Sequence, residues 1–370
     1  MLINILQENL LKTLIRACRI IPSKPQIPIL QNILLSGEDG VLKVVSTSID
    51  TTEVSLVGAK VEKAGGICVS SRLLLEFVSS LPQSTVRLTE KDGALIIQCE
   101  GYKATIPGVS EKEFPPISEL DTKNASVIQT EKIMEATESV VFAAATDEGR
   151  PILSGVKIIQ RDNETLFAAT DGYRLSVKKI DIKTKEESGL LIPARALSEV
   201  IKLCQEEKAV KEVRMTRPKD GQIAFIVGDT ELRTRLIEGE YPNFEKIIPT
   251  KFNTRVLCEK DVLLRAVRSS AIFAKDSANI IRFHIEKQTL TVSANTPAVG
   301  ENETDVEVKV DGEGGDIAFN SRFVIEFLSN CKEDEVLFEM TGSLNPGVFR
   351  PPKDESFLHV IMPVRVQGAN

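Results

Sequence analysis

The sequence predicts an α+β protein built as three similar consecutive domains, each with two helices packed on antiparallel sheets. Three observations carry that expectation. First, residues 69–77, 192–200 and 319–327 read VSSRLLLEF, IPARALSEV and FNSRFVIEF. Each has an apolar start, small or helix-breaking residues, an arginine, mostly apolar residues and a glutamate. Arg72, Arg195 and Arg322 stand 123 and 127 positions apart, too long a period for a solenoid unit and the right length for a small domain. Second, each copy opens with the spacing of an amphipathic helix. Third, short alternating strands follow in the same order in each copy, and two helices beside many antiparallel strands make an α+β domain.

In the first copy Leu10, Leu11, Leu14, Ile15 and Cys18 keep the three-to-four spacing of one helix face. Ile133, Met134, Thr137, Val140 and Val141 repeat it in the second copy, and Val262, Leu263, Ala266, Val267 and Ala271 in the third. Alternating strands at 42–48, 166–171 and 290–296 each run into a turn. The arginine–glutamate segments are the second helices, and strands near 94–99, 222–227 and 335–339 come after them. Glu113-Phe114-Pro115 and Glu240-Tyr241-Pro242 read as exits to linkers, because proline holds the residue before it extended. The expected domains are therefore 1–121, 122–250 and 251–370.

Hydrophobic content of 42% and charged content of 27% suit globular domains. No apolar run reaches the roughly 18 residues of a membrane span, and residues 1–12 show no secretory pattern. Cys18, Cys68, Cys99, Cys204, Cys258 and Cys331 are widely spaced, which argues against zinc or a disulfide framework and for reduced thiols in a cytoplasm. A net charge of −7 is unlike a generally basic nucleic-acid binder, but it leaves room for a local basic lining. His284 and His359 are the only histidines and have no ligand spacing, and no dinucleotide, P-loop or nucleophile-elbow motif occurs. Residues 311–316, DGEGGD, have the composition of a calcium loop without its order and read as a glycine turn. No cofactor, metal or catalytic residue is expected.

Residues 168–175 (AATDGYRL), 241–249 (YPNFEKIIP) and 360–365 (VIMPVR) together resemble the bacterial DNA polymerase III β subunits, the sliding clamps. Ile27-Pro28-Ile29-Leu30 and Phe319-Asn320 match as well, and the likeness runs the whole chain in order. The resemblance implies a fold in which two chains join head to tail into a ring of six domains, with helices lining the hole and sheet outside. It implies a protein that encircles duplex DNA without sequence preference and tethers the replicative polymerase. The clamp loader and other clamp-binding proteins are implied partners too. Two other readings stay open from the residues alone: a three-domain cytosolic scaffold that encircles nothing, and an enzyme with an unrecognised site.

Basic residues on the repeated helices are the expected DNA contacts: Lys12, Arg16, Lys24, Arg72, Arg195, Arg265, Arg268 and Arg322. Lys12, Arg16 and Arg19 share one helix face at i, i+4 and i+7. The resemblance also implies a pocket for a short Gln-containing, Leu/Phe-anchored peptide between the second and third domains. Its expected residues are Leu153, Thr170, Gly172, Tyr173, Arg174, Leu175, Pro242, Lys246, Ile247, Pro346, Val360, Met362, Pro363, Val364 and Arg365. The string does not recur in the other two copies, so one pocket per chain is expected, with the tail after Arg365 near its edge. The resemblance also implies the dimer contacts: Phe77 and Leu81 in the first copy, and Ile272 and Phe273 in the third.

Overall fold

The computed structural model describes residues 1–365 apart from 23, 24, 26, 118, 119, 121, 124, 148, 162, 163, 183–188, 219, 220 and 298. Lys24 and the tail after Arg365 therefore lie outside the described residues. The opening helices are α1 (Gln7–Ile20), α3 (Thr130–Glu138) and α5 (Lys260–Ala274). The second helices are α2 (Ser71–Ser79), α4 (Ala194–Glu206) and α6 (Ser321–Asn330).

Helix α1 forms because Leu10, Leu14 and Ala17 make one buried stripe. No side chain caps its start, but Glu8 in the first turn and Arg19 in the last complement the helix dipole. Helix α6 starts on Asn320, whose side chain accepts a hydrogen bond from the Arg322 backbone N–H at 3.0 Å. Helix α3 stops short of the expected pattern. The Thr137 hydroxyl donates back to the Ile133 carbonyl at 2.5 Å and that of Ser139 to Glu135 at 2.7 Å, a local competition that weakens a helix end. Val140 then leaves helical geometry (φ −125°, ψ −31°), and Val141–Ala143 forms a separate 3-10 turn.

Sheet pairing explains how the copies connect. The central copy's strands Ser126–Gln129, Glu212–Thr216, Gln222–Val227 and Thr230–Arg235 continue into the first copy's sheet, where Thr230 to Thr234 pair with Ser55 to Thr51. Its other strands, Leu190–Pro193, Gly155–Arg161, Glu164–Thr170 and Arg174–Ile180, continue into the third copy's sheet, where Arg174 to Lys178 pair with Ile361 to Phe357. The chain accordingly falls into two compact units, residues 1–130 with 199–236, and residues 131–198 with 237–370. Each half of the central copy is fused by a backbone ladder to one neighbour.

The third copy's core shows how tightly its sheets meet. Phe283, Phe319 and Phe338 pack edge to face with centroids 5.6–5.8 Å apart. Gly347 sits against them, and a Cβ there would come within 2.5 Å of Phe319 and 2.9 Å of Phe338, so a larger residue forces the rings apart. All six cysteines are free thiols. Among the described residues no helix is long and apolar enough to cross a membrane.

In the first unit, α1 meets the second helix of the central copy through charge. Arg16, 5% exposed, donates to Glu206 and Glu207 at 2.5 Å each. Arg19 donates to Glu199 at 2.8 Å and to Glu206 at 2.7 Å. Glu53 is buried nearby and accepts from the Ser55 hydroxyl at 3.3 Å. Burial pushes the Glu53 carboxyl up from 4.5 to about 7, against the pull of Arg19 and Arg16.

A raised carboxyl favours the folded state while it is protonated. The Glu53 contribution is whole below about 4.5 and is lost as pH rises through about 7. Wild type is therefore expected to lose on the order of 2 kcal/mol relative to Glu53→Gln between the two ends of that window. Denaturant melts across the range check this, and parallel profiles for the two proteins would show that Glu53 ionises without penalty. Glu206 lies below its ordinary value because the hydrogen bonds and charges of Arg19 and Arg16 outweigh its burial. Its own contribution fades only in more acid solution.

Candidate functional site

The string Thr170-Asp171-Gly172-Tyr173-Arg174 folds into a turn that bonds to itself. The Thr170 hydroxyl donates to the Arg174 carbonyl at 2.5 Å and accepts from the Gly172 N–H at 3.0 Å. One Asp171 oxygen accepts from the backbone N–H of Tyr173 at 2.9 Å and of Arg174 at 3.0 Å. Gly172 holds φ +91°, a conformation that residues with a Cβ rarely adopt. The Met362 N–H donates to the Tyr173 carbonyl at 2.9 Å, extending the ladder between the copies past Ile361.

Arg174, 8% exposed, is fully engaged behind this turn. Its Nε donates to Asp171 at 3.1 Å, one terminal nitrogen to Glu326, and the other to the Phe142 carbonyl at 2.7 Å. Its guanidinium lies 4.6 Å from the centroid of the Phe323 ring, a cation–π contact. Deeper in, His359 is fully buried, hydrogen-bonded to the Ser176 hydroxyl at 2.6 Å and stacked on Phe327 at 5.2 Å. Burial drives its pKa well below the ordinary value, so it stays neutral on the face of the strand opposite Leu175 and Val360.

Together these elements enclose a concavity of about 210 Å³. Ten expected residues line it: Leu153, Thr170, Gly172, Tyr173, Arg174, Leu175, Pro242, Ile247, Val360 and Met362. Lys246, Pro346, Pro363, Val364 and Arg365 do not. Residues Phe244–Ile247 form one 3-10 turn, which sets Phe244 and Ile247 on the same side and leaves Lys246 exposed. Beyond Met362 the chain turns away, and the Val364 N–H bonds the Ala318 carbonyl at 2.8 Å. Asn243 and Phe244 line the concavity without having been expected. Their signal was present, since both stand inside the string YPNFEKIIP. Leu175 and Val360 are wholly buried, whereas Tyr173, Ile247 and Met362 expose large apolar surface at the rim. Such a wall suits apolar anchors and a few orienting hydrogen bonds.

The expected DNA contacts fall into two groups. Lys12 is exposed but pairs with Glu207 at 2.9 Å, and Arg72 pairs with Glu76 at 2.8 Å. Arg16 is a correction: it is buried and surrounded by Glu206 and Glu207, so its charge is spent inside the fold and does not reach a phosphate. Arg195 is exposed on α4. In the third copy Arg265, Arg268 and Arg322 are all exposed, and none of them has an ion pair among the described residues. Arg268 only donates to the Ser329 hydroxyl at 3.4 Å. Of the expected contacts, the three without an ion pair among the described residues therefore stand on α5 and α6.

Of the expected dimer contacts, Ile272 is 60% exposed at the end of α5. Phe273 and Phe77 are half-buried, each packed partly on its own core. Leu81 is a correction. It is 6% exposed, because the chain turns back after α2, with the Leu81 N–H bonded to the Val78 carbonyl, and folds that side chain into the first core.

Comparison with known proteins agrees with this arrangement along the whole chain. The family described as DNA polymerase III beta subunit matches in three parts: N-terminal domain at residues 1–118, central domain at 127–243 and C-terminal domain at 245–365. The beta sliding clamp of Synechococcus elongatus is 28% identical over 371 residues, covering 98% of each chain. That of Bacillus subtilis is 26% identical, covering 97% of this chain and 98% of its own. Among solved structures, the Bartonella birtlesii sliding clamp bound to griselimycin superposes with a TM-score of 0.93 at 25% identity, covering 99% of this chain and all of its own. The Bacillus subtilis clamp superposes with a TM-score of 0.92 at 24% identity, covering 99% of each. With all three copies matched in register and the TDGYRL turn closing its concavity, the chain belongs to the DNA polymerase III beta subunit family, the beta sliding clamps.

Proposed function

We propose that this protein is a non-catalytic DNA sliding clamp of the cytoplasm. Two chains, each with domains 1–121, 122–250 and 251–370, close head to tail around duplex DNA and tether the replicative polymerase. The clamp loader and other partners use the same concavity. Basic side chains of the repeated helices face the phosphates, with Arg265, Arg268 and Arg322 the strongest contributors, and the contact is independent of base sequence.

The observation that carries this reading is the repeated backbone ladder. The first copy offers Thr51–Gly58 to the last strand of the second, Thr230–Arg235. The second offers Arg174–Ile180 to the last strand of the third, Phe357–Ile361. The corresponding strand of the third copy, Gly300–Glu307, lies at the edge of its four-stranded sheet. The last strand of the first copy, Tyr102–Ser110, is paired along one side, and along the other only from Gly108 to Ser110. An exposed sheet edge is a template for pairing, and these two supports fit a second chain added head to tail. A scaffold that encircles nothing gives no role to that matched pair of strands.

The test is retention. Protein loaded on a nicked circle is expected to stay while the circle is intact and to leave within the time of end diffusion once a restriction enzyme opens it. Equal rates of loss from circular and linear DNA would sink the encircling reading in favour of a scaffold.

A further inference from the structure

The two junctions inside the chain are built alike and lined differently. At the second, Phe357–Ile361 pairs with Arg174–Ile180, and the Met362 N–H beyond it donates to the Tyr173 carbonyl at 2.9 Å. At the first, Thr230–Arg235 pairs with Thr51–Gly58, and the Arg235 N–H donates to the Asp50 carbonyl, also at 2.9 Å. By that register Arg233 and Arg235 take the places that Val360 and Met362 hold at the second junction. The exits from the two copies match as well. Phe244 and Ile247, just beyond Pro242, line the concavity. Ile117 and Leu120, at the same steps beyond Pro115, line a groove of about 450 Å³ at the first junction. That groove lies on the sheet face opposite buried Leu232.

The floor of the groove crosses five strands. Register puts Arg214 beside Ile226, Ile226 beside Glu231, Glu231 beside Val54, and Leu56 beside Lys43. Lys43 and Arg214 thus stand at opposite ends of the floor, about 19 Å apart at the usual strand spacing. Apolar surface lies between them, including Leu56, which is 45% exposed. Neither Lys43 nor Arg214 has an ion pair among the described residues. Glu231 is held by Arg233, and Asp229 stands at the hairpin end. The lining carries three cations against two carboxylates, in a chain of net charge −7. We propose that this groove is a second peptide-docking site, for an extended acidic segment with carboxylates about six residues apart and an apolar side chain between them. One carboxylate meets Lys43, the other meets Arg214, and the apolar side chain covers Leu56. The Gln-containing, Leu/Phe-anchored peptide of the second junction does not fit here, because the Arg233–Glu231 pair replaces the apolar wall that Val360 supplies there. This site does not depend on whether the chain encircles DNA.

The experiment measures binding of a fluorescein-labelled Glu-Ser-Ala-Leu-Ala-Ser-Glu peptide to the full chain at low salt. Wild type is expected to bind it. Lys43→Glu and Arg214→Glu are each expected to weaken binding about five- to tenfold. The same peptide with serine in place of its leucine, a change that leaves the protein untouched, is expected to bind about fivefold more weakly. An excess of unlabelled Gln-containing, Leu/Phe-anchored peptide is expected to displace nothing, because it belongs at the other junction. No binding by wild type overturns the proposal. Binding that both charge variants keep overturns its placement on this groove. Equal binding of the leucine and serine peptides reduces the contact to loose attraction between charges and overturns docking. Displacement by the competitor moves the acidic peptide to the second junction and overturns a separate site.

Discussion

Replacing both Ile272 and Phe273 with alanine is expected to turn the protein into folded monomers that no longer stay on closed circles. Ile272 is the most exposed isoleucine of the described residues, on the last turn of α5. Residues at the end of the opening helix serve as contacts at the junctions already inside the chain. Arg19, near the end of α1, reaches Glu199 of the next copy's second helix. The Phe142 carbonyl, just past α3, shares Arg174 with Glu326 of the following one. By the same pattern the end of α5 is expected to meet the α2 region of a second chain, where Phe77 stands. Burying an aliphatic or aromatic side chain contributes about 1.5–3 kcal/mol. Phe273 is already partly packed on its own core, so the pair is worth about 3–4 kcal/mol per interface. That loss weakens association several hundredfold or more. Sedimentation at working concentration checks the mass, and a melt confirms that the variant folds. A dimer of unchanged affinity would remove this assignment.

Met362→Asp is expected to abolish peptide binding while leaving both the fold and the dimer in place. The Met362 side chain stands at the rim of the concavity, 38% exposed, and its backbone N–H keeps the bond to the Tyr173 carbonyl whatever the side chain. A carboxylate there must lose water beneath an apolar anchor of the bound peptide. The penalty is about 2–4 kcal/mol, or roughly a hundredfold in affinity. Deleting the chain from Met362 onward is a blunter test, since it also removes the Val364–Ala318 hydrogen bond. Titration of a fluorescein-labelled, Gln-containing and Leu/Phe-anchored peptide against wild type and variant decides the matter. Equal affinities would place the partner site elsewhere.

The helices and most strands were legible in the sequence because each is specified locally, by spacing within a dozen residues. The pairing of Thr230–Arg235 with Thr51–Gly58 was not, since no local pattern names a partner about 180 positions away. The charges on α1 misled for a similar reason. Lys12, Arg16 and Arg19 do share a face, but that face meets Glu199, Glu206 and Glu207 from the next copy rather than solvent. Leu81 shows the ambiguity of an apolar residue just after a helix, which serves an interface or a core equally well until the turn behind it is known. The pocket turn was legible only through the resemblance, and the structure supplies its physical reason: Thr, Asp and Gly each satisfy a backbone demand inside five residues. Every pocket residue came from the resemblance, and Lys246 and Pro346 are among those that do not line the concavity.

The ladders between copies also bear on how this lineage changes over time. Their donors and acceptors are peptide groups, which every residue but proline supplies in full. A substitution at either junction can alter packing or charge and still leave the hydrogen bonds that set one copy's angle to the next. Natural variation can therefore sweep through the side chains without retuning the geometry on which closure depends. Relatives with about a quarter of their residues in common keep the same fold over the whole chain. Proline is the exception. The Leu56 N–H donates across the first junction to the Asp229 carbonyl at 3.0 Å. By the alternation of an antiparallel pair, the N–H groups of Val54 and its partner Glu231 face that junction too. Proline at either would remove a donor at the seam itself, and such positions are where drift should be least tolerated.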